Sequence, residues 1–262
     1  MATLPPMILH PYGDGLVAIA QSAHAFLAFQ IAEHWGNRLT PRPSPRPEVL
    51  AAILLHDAGW DGREEPLRLA DDGRPLAFDT VPASEREALW ASAVERAALR
   101  GRYVAYLVSH HVSMLAGFGV EGVHREFLAR QEALRARLRE ELAADARYAA
   151  ALGSGPDRIN RSVVRLADAI GVHLATGREG TARFPDLPRR GGTAPLALSK
   201  VAERTYRLRP WPLLGRRLAV ATEGRLLTIG CFPDETSLAA AWREAPTVRL
   251  SWTLLPTGAP LD

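Results

Sequence analysis

The chain has 262 residues, 47% of them hydrophobic, with a formal net charge of +3 and one cysteine, Cys231. That much apolar material can form a core without staples, and a lone cysteine excludes an internal disulfide framework and fits a reducing compartment. No apolar run is long enough to span a bilayer, and the Met1-Ala-Thr-Leu-Pro-Pro start lacks the features of a signal peptide, so a soluble cytoplasmic protein is expected.

In chain order, Val17, Ala20, Leu27, Ala28, Ile31 and Trp35 recur at helical spacing and predict a first helix from Gly15 to Trp35. The Pro-rich segment Pro41 to Pro47 breaks it off, and a second helix follows from Pro47 to Asp57. Residues 59 to 83 read as an ordered loop, and Ser84 with Glu87 as a capping box opening a third helix to Leu99. A fourth helix is expected from Arg102 to Leu115, then a Gly-rich turn over Ala116 to Gly122. A long charged helix is expected from His124 to Leu152, and another from Asp157 to Ala175. Residues 178 to 195, rich in Gly, Pro and Arg, read as a linker. Beyond it lie β-like runs at 196–201, 217–221, 225–229 and 248–254, interrupted by a helical pattern at 237–244. The expected fold is mainly α: a helical bundle over 1–177, with a linker and small α+β subdomain over 178–262 packed on it.

The basic excess is nearly all arginine, Lys200 being the only lysine, and it is interleaved with acids. No basic stripe with interleaved aromatics marks a nucleic-acid surface.

The chemistry concentrates in a few ionisable residues at buried helical positions. His56-Asp57 closes the apolar run Val49 to Leu55; an imidazole and a carboxylate there are costly unless compensated, and both are ready ligands for a divalent metal. A packed histidine followed by a helix-ending aspartate is the competing reading. His24 lies on the apolar face of the first helix, where a metal or a hydrogen bond would satisfy it. His111 shares a face with Leu107, Val108, Met114 and Leu115, so it points inward, with His110 turned away from it. Asp168 falls at the edge of the face made by Val163, Ala167, Ile170 and Leu174, with Arg165 three residues before it as a possible ion-pair partner.

The order His, His-Asp, His, Asp on separate helices resembles the HD superfamily of metal-dependent phosphohydrolases. More closely, the chain resembles the DUF3891 family. The matching residues are Gln21-Ser-Ala-His24 with Ala32-Glu-His-Trp35-Gly36, His56-Asp-Ala-Gly-Trp60-Asp61, the Pro66 to Phe78 loop, Ser109-His-His111 and Pro210-Trp211-Pro212.

The resemblance implies an HD-like helical bundle in which His24, His56, Asp57 and Asp168 hold a divalent transition metal (Mn, Fe, Zn, Ni or Co; one or two ions). It implies hydrolysis of a small phosphorylated molecule or nucleotide by metal-activated water. His111 would be a further ligand or a phosphate-binding or protonating group. Asp57 and Asp61 would assist the chemistry, with Asp61 orienting a ligand or water. Trp60, Arg102 and Arg165 are candidates to contact substrate. Two rival expectations are a di-iron oxygenase, which needs further histidines, and a non-catalytic ligand-binding or regulatory module.

Overall fold

The computed structural model describes residues 7–61, 67–118 and 122–261. The signal-peptide reading of residues 1–6, the Pro66 start of the motif loop and the middle of the Ala116 to Gly122 turn lie outside the described residues.

The mainly α expectation is overturned: the protein is 49% helix and 25% strand, with a seven-stranded mixed sheet curled into a half-barrel. The first correction is at the start of the chain. Gly15 to Trp35 is not one helix. β1 (Ile8–Tyr12) and β2 (Gly15–Ile19) form an antiparallel hairpin, and only then does α1 (Gln21–Glu33) begin. Leu16 to Ile19 are buried without alternation because β2 is an interior strand, and such a run cannot be told from a buried helix by periodicity.

The helices that follow are α2 (Arg46–Leu55), α3 (Ala83–Ala98), α4 (Arg102–Gly117), α5 (Arg125–Ala143), the single turn α6 (Ala146–Ala149) and α7 (Ser154–Thr176). The expected capping box does not form: Pro82 precedes the first turn of α3, and the Glu87 carboxylate instead accepts from His124 Nδ1 at 2.7 Å. The long charged helix ends at Ala143, and Asp145 restarts the chain as α6 by accepting from the Arg147 amide at 2.9 Å.

Residues 178 to 195 are not a linker. They carry β3 (Thr181–Arg189) and the start of β4 (Gly192–Ala202). Pro185 and Pro188 are accommodated because β3 is an edge strand with a register shift between Phe184 and Leu187, where a missing N–H costs little. β5 (Thr205–Arg209), β6 (Leu218–Leu227), α8 (Glu235–Glu244) and β7 (Thr247–Pro256) complete the chain.

The strand order is β1-β2-β6-β7-β5-β4-β3, antiparallel except for β5 with β7. The N-terminal hairpin is therefore part of the same sheet as the C-terminal strands, and β7 lies at its centre. α7 packs against both β1 and β3, the two edges, so the sheet curls around it. The segment Pro210-Trp211-Pro212 ties the sheet to the end of α1. Gly36 N–H donates to the Pro212 carbonyl at 2.9 Å, and Asn37 Nδ2 donates to the Trp211 carbonyl at 2.8 Å. Among the described residues, no helix is long and apolar enough to cross a membrane.

Candidate metal centre

Four helices deliver five ionisable side chains to one place: His24 from α1, His56 and Asp57 from the end of α2, His111 from α4 and Asp168 from α7. His24 Nε2 lies 2.9 Å from Asp168 Oδ1 and 3.9 Å from Asp57 Oδ2. His56 Nε2 lies 3.1 Å from Asp57 Oδ2 and 3.3 Å from Asp168 Oδ1. On the other side of Asp168, His111 Nε2 faces Oδ2 at 3.5 Å. The ring of His56 meets those of His24 and His111 edge to face, with centroids 5.5 and 4.9 Å away.

Local structure fixes each group. His56 is the first residue past α2, where helical carbonyls lack partners, and its Nδ1–H donates to the Ile53 carbonyl at 2.6 Å. That bond sets the tautomer and leaves the Nε2 lone pair pointing at two carboxylates. The chain then turns sharply through a 3-10 turn, Ala58–Trp60. Gly59 is needed there because a Cβ would stand 1.9 Å from the Leu89 carbonyl oxygen of α3. α1 and α7 approach closely where Gly171 faces the His24 ring, one turn beyond Asp168.

A lone pair set against two carboxylate oxygens is repulsive unless a proton or a cation stands between them. In the metal-free cluster the proton does so. Burial pulls His56 down, but Asp57 and Asp168 outweigh it and hold the imidazole well above its ordinary pKa. Burial likewise pushes both carboxylates up, yet their histidine partners hold Asp57 below the usual carboxylate range and Asp168 well below it. For His111 burial wins against the pull of Asp168, and the imidazole is pushed down to about 4.

The donor set fits a divalent cation. Ligand atoms about 2.1 Å from a shared ion lie roughly 3 to 4 Å from one another, which is the spacing between these nitrogens and oxygens. His24 Nδ1 and both His111 nitrogens are buried without a hydrogen-bond partner.

The remaining predicted residues fare differently. Asp61 follows the 3-10 turn, where burial raises its carboxyl while Ser22 at the start of α1 pulls it down, and its backbone carbonyl accepts from Arg96 at 2.8 Å. Trp60 is buried against Val81 and Leu89 and does not line the cleft beside the cluster. Arg102 lies at the far end of α4 from His111 and pairs with Glu141 and Asp145 at 3.7 and 3.9 Å. Arg165 does lie beside the centre, in a cleft of about 320 Å³ shared with His110, His111, Arg158, Arg161 and Ser162. His110 stacks edge to face on Tyr106, and burial together with Arg161, Arg135 and Arg139 pushes it down to about 3. His124 is engaged by Glu87 against the Trp90 ring.

Sequence reasoning missed Arg158, Arg161 and Gly171. A signal was present: with Arg165 and Asp168 they recur on α7 at offsets of three and four, along one helical stripe.

A family model described as "Protein of unknown function (DUF3891)" matches residues 7–229, most of the chain and every residue of the cluster. The chain belongs to the DUF3891 family. No curated protein and no solved structure matches it. In this DUF3891 member, the segments Gln21 to His24, His56 to Asp61 and Ser109 to His111 supply His24, His56, Asp57 and His111 of the candidate cluster.

Proposed function

We propose that this DUF3891 protein is a metal-dependent phosphohydrolase acting on a small phosphorylated molecule. The supporting observation is the convergence of His24, His56, Asp57 and Asp168 on one buried point, with the His56 tautomer set for ligation. The order of these residues resembles the HD superfamily, which points the same way. His24, His56, Asp57 and Asp168 would hold the ion; when bound, it lowers the pKa of a coordinated water and neutralises charge on a phosphoryl oxygen.

The chain's own groups do the rest. The Ile53 carbonyl orients His56, and Gly171 lets His24 approach Asp168. The Asp61 carbonyl, accepting from Arg96 at 2.8 Å, anchors the turn after Asp57 to α3. His111, at the border of cluster and cleft, offers an unpartnered nitrogen to a substrate oxygen. The di-iron oxygenase reading gains no support, because His110 and His124 are turned to Tyr106 and Glu87.

The test is elemental analysis of untagged protein, with turnover of p-nitrophenyl phosphate, for wild type, His56→Ala and Asp168→Ala. About one equivalent of a divalent transition metal in wild type, lost with turnover in both variants, is expected. A wild type that stays metal-free after Mn²⁺, Fe²⁺ and Zn²⁺ are supplied overturns the reading. A loaded protein without turnover on any phosphoester makes it a binding module instead.

A further inference from the structure

We propose that the arginine-lined cleft beside the metal centre binds a second phosphate, so that the substrate carries at least two phosphoryl groups. This rests on the phosphohydrolase reading above and names its substrate class.

Arg158, Arg161, Arg165 and Asp168 follow one another on α7 at offsets of three, four and three residues. At about 100° per residue they fall within an arc of roughly 80°, a single stripe. All three arginines line the cleft that also contains His111. Along the helix axis Arg165 stands about 4.5 Å from Asp168, Arg161 about 10 Å and Arg158 about 15 Å. Side chains on a helix lean toward its N-terminus, which carries the guanidiniums farther from the carboxylate. A single phosphate reacting at the cluster would therefore leave Arg161 and Arg158 unused.

The positive charge of the cleft is only partly neutralised internally. Arg165 donates to the Pro185 carbonyl at 2.5 Å, a neutral acceptor. Arg161 gives one terminal nitrogen to Asp157 at 2.9 Å, while its Nε is buried without a partner. Arg158 is exposed and makes no ion pair among the described residues. Of the residues lining the cleft, Asp186 alone is acidic, and Ser162 and Thr193 add neutral hydroxyls. Three guanidiniums against two carboxylates, Asp186 in the lining and Asp157 behind Arg161, leave a net positive recess that favours an anion, and their planar forks suit the oxygens of a phosphate.

The experiment is calorimetric titration of inorganic phosphate and of inorganic tripolyphosphate into wild type, Arg161→Gln/Arg165→Gln, Arg158→Gln and Arg165→Lys. Metal content is quantified after each run. Wild type is expected to bind tripolyphosphate at least about tenfold more tightly than phosphate. The double glutamine variant is expected to lose that preference with its metal content unchanged, Arg158→Gln to lose part of it, and Arg165→Lys to keep part of it. Arg158 is exposed, so its variant reports on the cleft even if the double variant unfolds. Equal affinity for both anions in wild type, or glutamine variants that bind tripolyphosphate as wild type does, overturns the proposal. Arginine-dependent binding to a protein that takes up no metal would leave the cleft standing and remove the hydrolase reading alone.

Discussion

Gly171 and His24 meet so closely that a Cβ on Gly171 would come within 3.0 Å of His24 Cε1 and 3.3 Å of Nδ1. His24 has nowhere to retreat, since it is fully buried between α1 and α7. Gly171→Ala is therefore expected to tilt the His24 ring off the shared point and weaken metal affinity about tenfold to a hundredfold, as displaced supporting groups do. Competition with a chelating dye measures this; unchanged affinity would show that the ring has room to move.

Metal binding should be coupled to proton release. In the metal-free cluster His56 carries a proton well above its ordinary pKa, because Asp57 and Asp168 outweigh its burial. To ligate, Nε2 must give that proton up, so apparent affinity rises with pH until the His56 pKa is passed. Calorimetry in buffers of different ionisation enthalpy is expected to report about one proton released per ion at neutral pH. No buffer dependence at all would mean that His56 is not a ligand.

Besides His110 and His111, whose depressed values act in the same direction, a share of the acid sensitivity should arise at the opposite end of α7. His10 donates from Nδ1 to the Ala175 carbonyl at 3.0 Å and meets Trp252 edge to face, and His173 meets Tyr206 in the same way. Burial lowers both pKa values from 6.5. With the folded value depressed, the unfolded chain binds more protons below pH 6.5, so stability present above that pH is lost as pH falls through the folded values. The slope of melting temperature against pH below 6.5 is expected to be shallower in a His10→Asn/His173→Asn double variant than in wild type.

Asn160 should be among the costliest polar residues to remove. It is fully buried, and its Nδ2 donates to the Ser44 carbonyl and to the Tyr103 hydroxyl, both at 2.7 Å, while its Oδ1 accepts from the Ser44 amide at 2.9 Å. One side chain thus fastens the Pro-rich connector to α7 and α4. Asn160→Ala strands the Ser44 amide and carbonyl, and a loss of about 2 to 4 kcal/mol in urea unfolding is expected. An isoenergetic variant would mean that water replaces the amide there.

The candidate site was more legible in the sequence than the sheet was. His24, His56, Asp57, His111 and Asp168 each stand where an ionisable group interrupts an apolar helical pattern, and that contrast survives in a one-dimensional string. The sheet was obscured wherever context decided the outcome. Leu16 to Ile19 are apolar throughout because both faces of β2 are covered, so nothing in their order distinguishes strand from helix. Pro185 and Pro188 read as a linker because their tolerance depends on β3 lying at an edge, a fact set by strands elsewhere in the chain. Trp60 and Arg102 were near the motifs in sequence, but neither lines the cleft beside the cluster. The 3-10 turn swings Trp60 toward Leu89, and the length of α4 separates Arg102 from His111.

The central place of β7 bears on how the chain comes to be folded at all. The family match ends at residue 229, yet β7 sits between β6 and β5 and supplies the partner strand that each of them needs. A protein truncated at the family boundary would keep every cluster ligand and still leave two interior strands with unpaired backbones, a template for aggregation. On the ribosome the same ordering applies: the hairpin of β1 and β2 emerges first, but the sheet that holds it cannot close until residue 256 has been made. Long-range closure of this kind is slow, and the nascent chain must stay soluble with its half-barrel open until its last strand arrives.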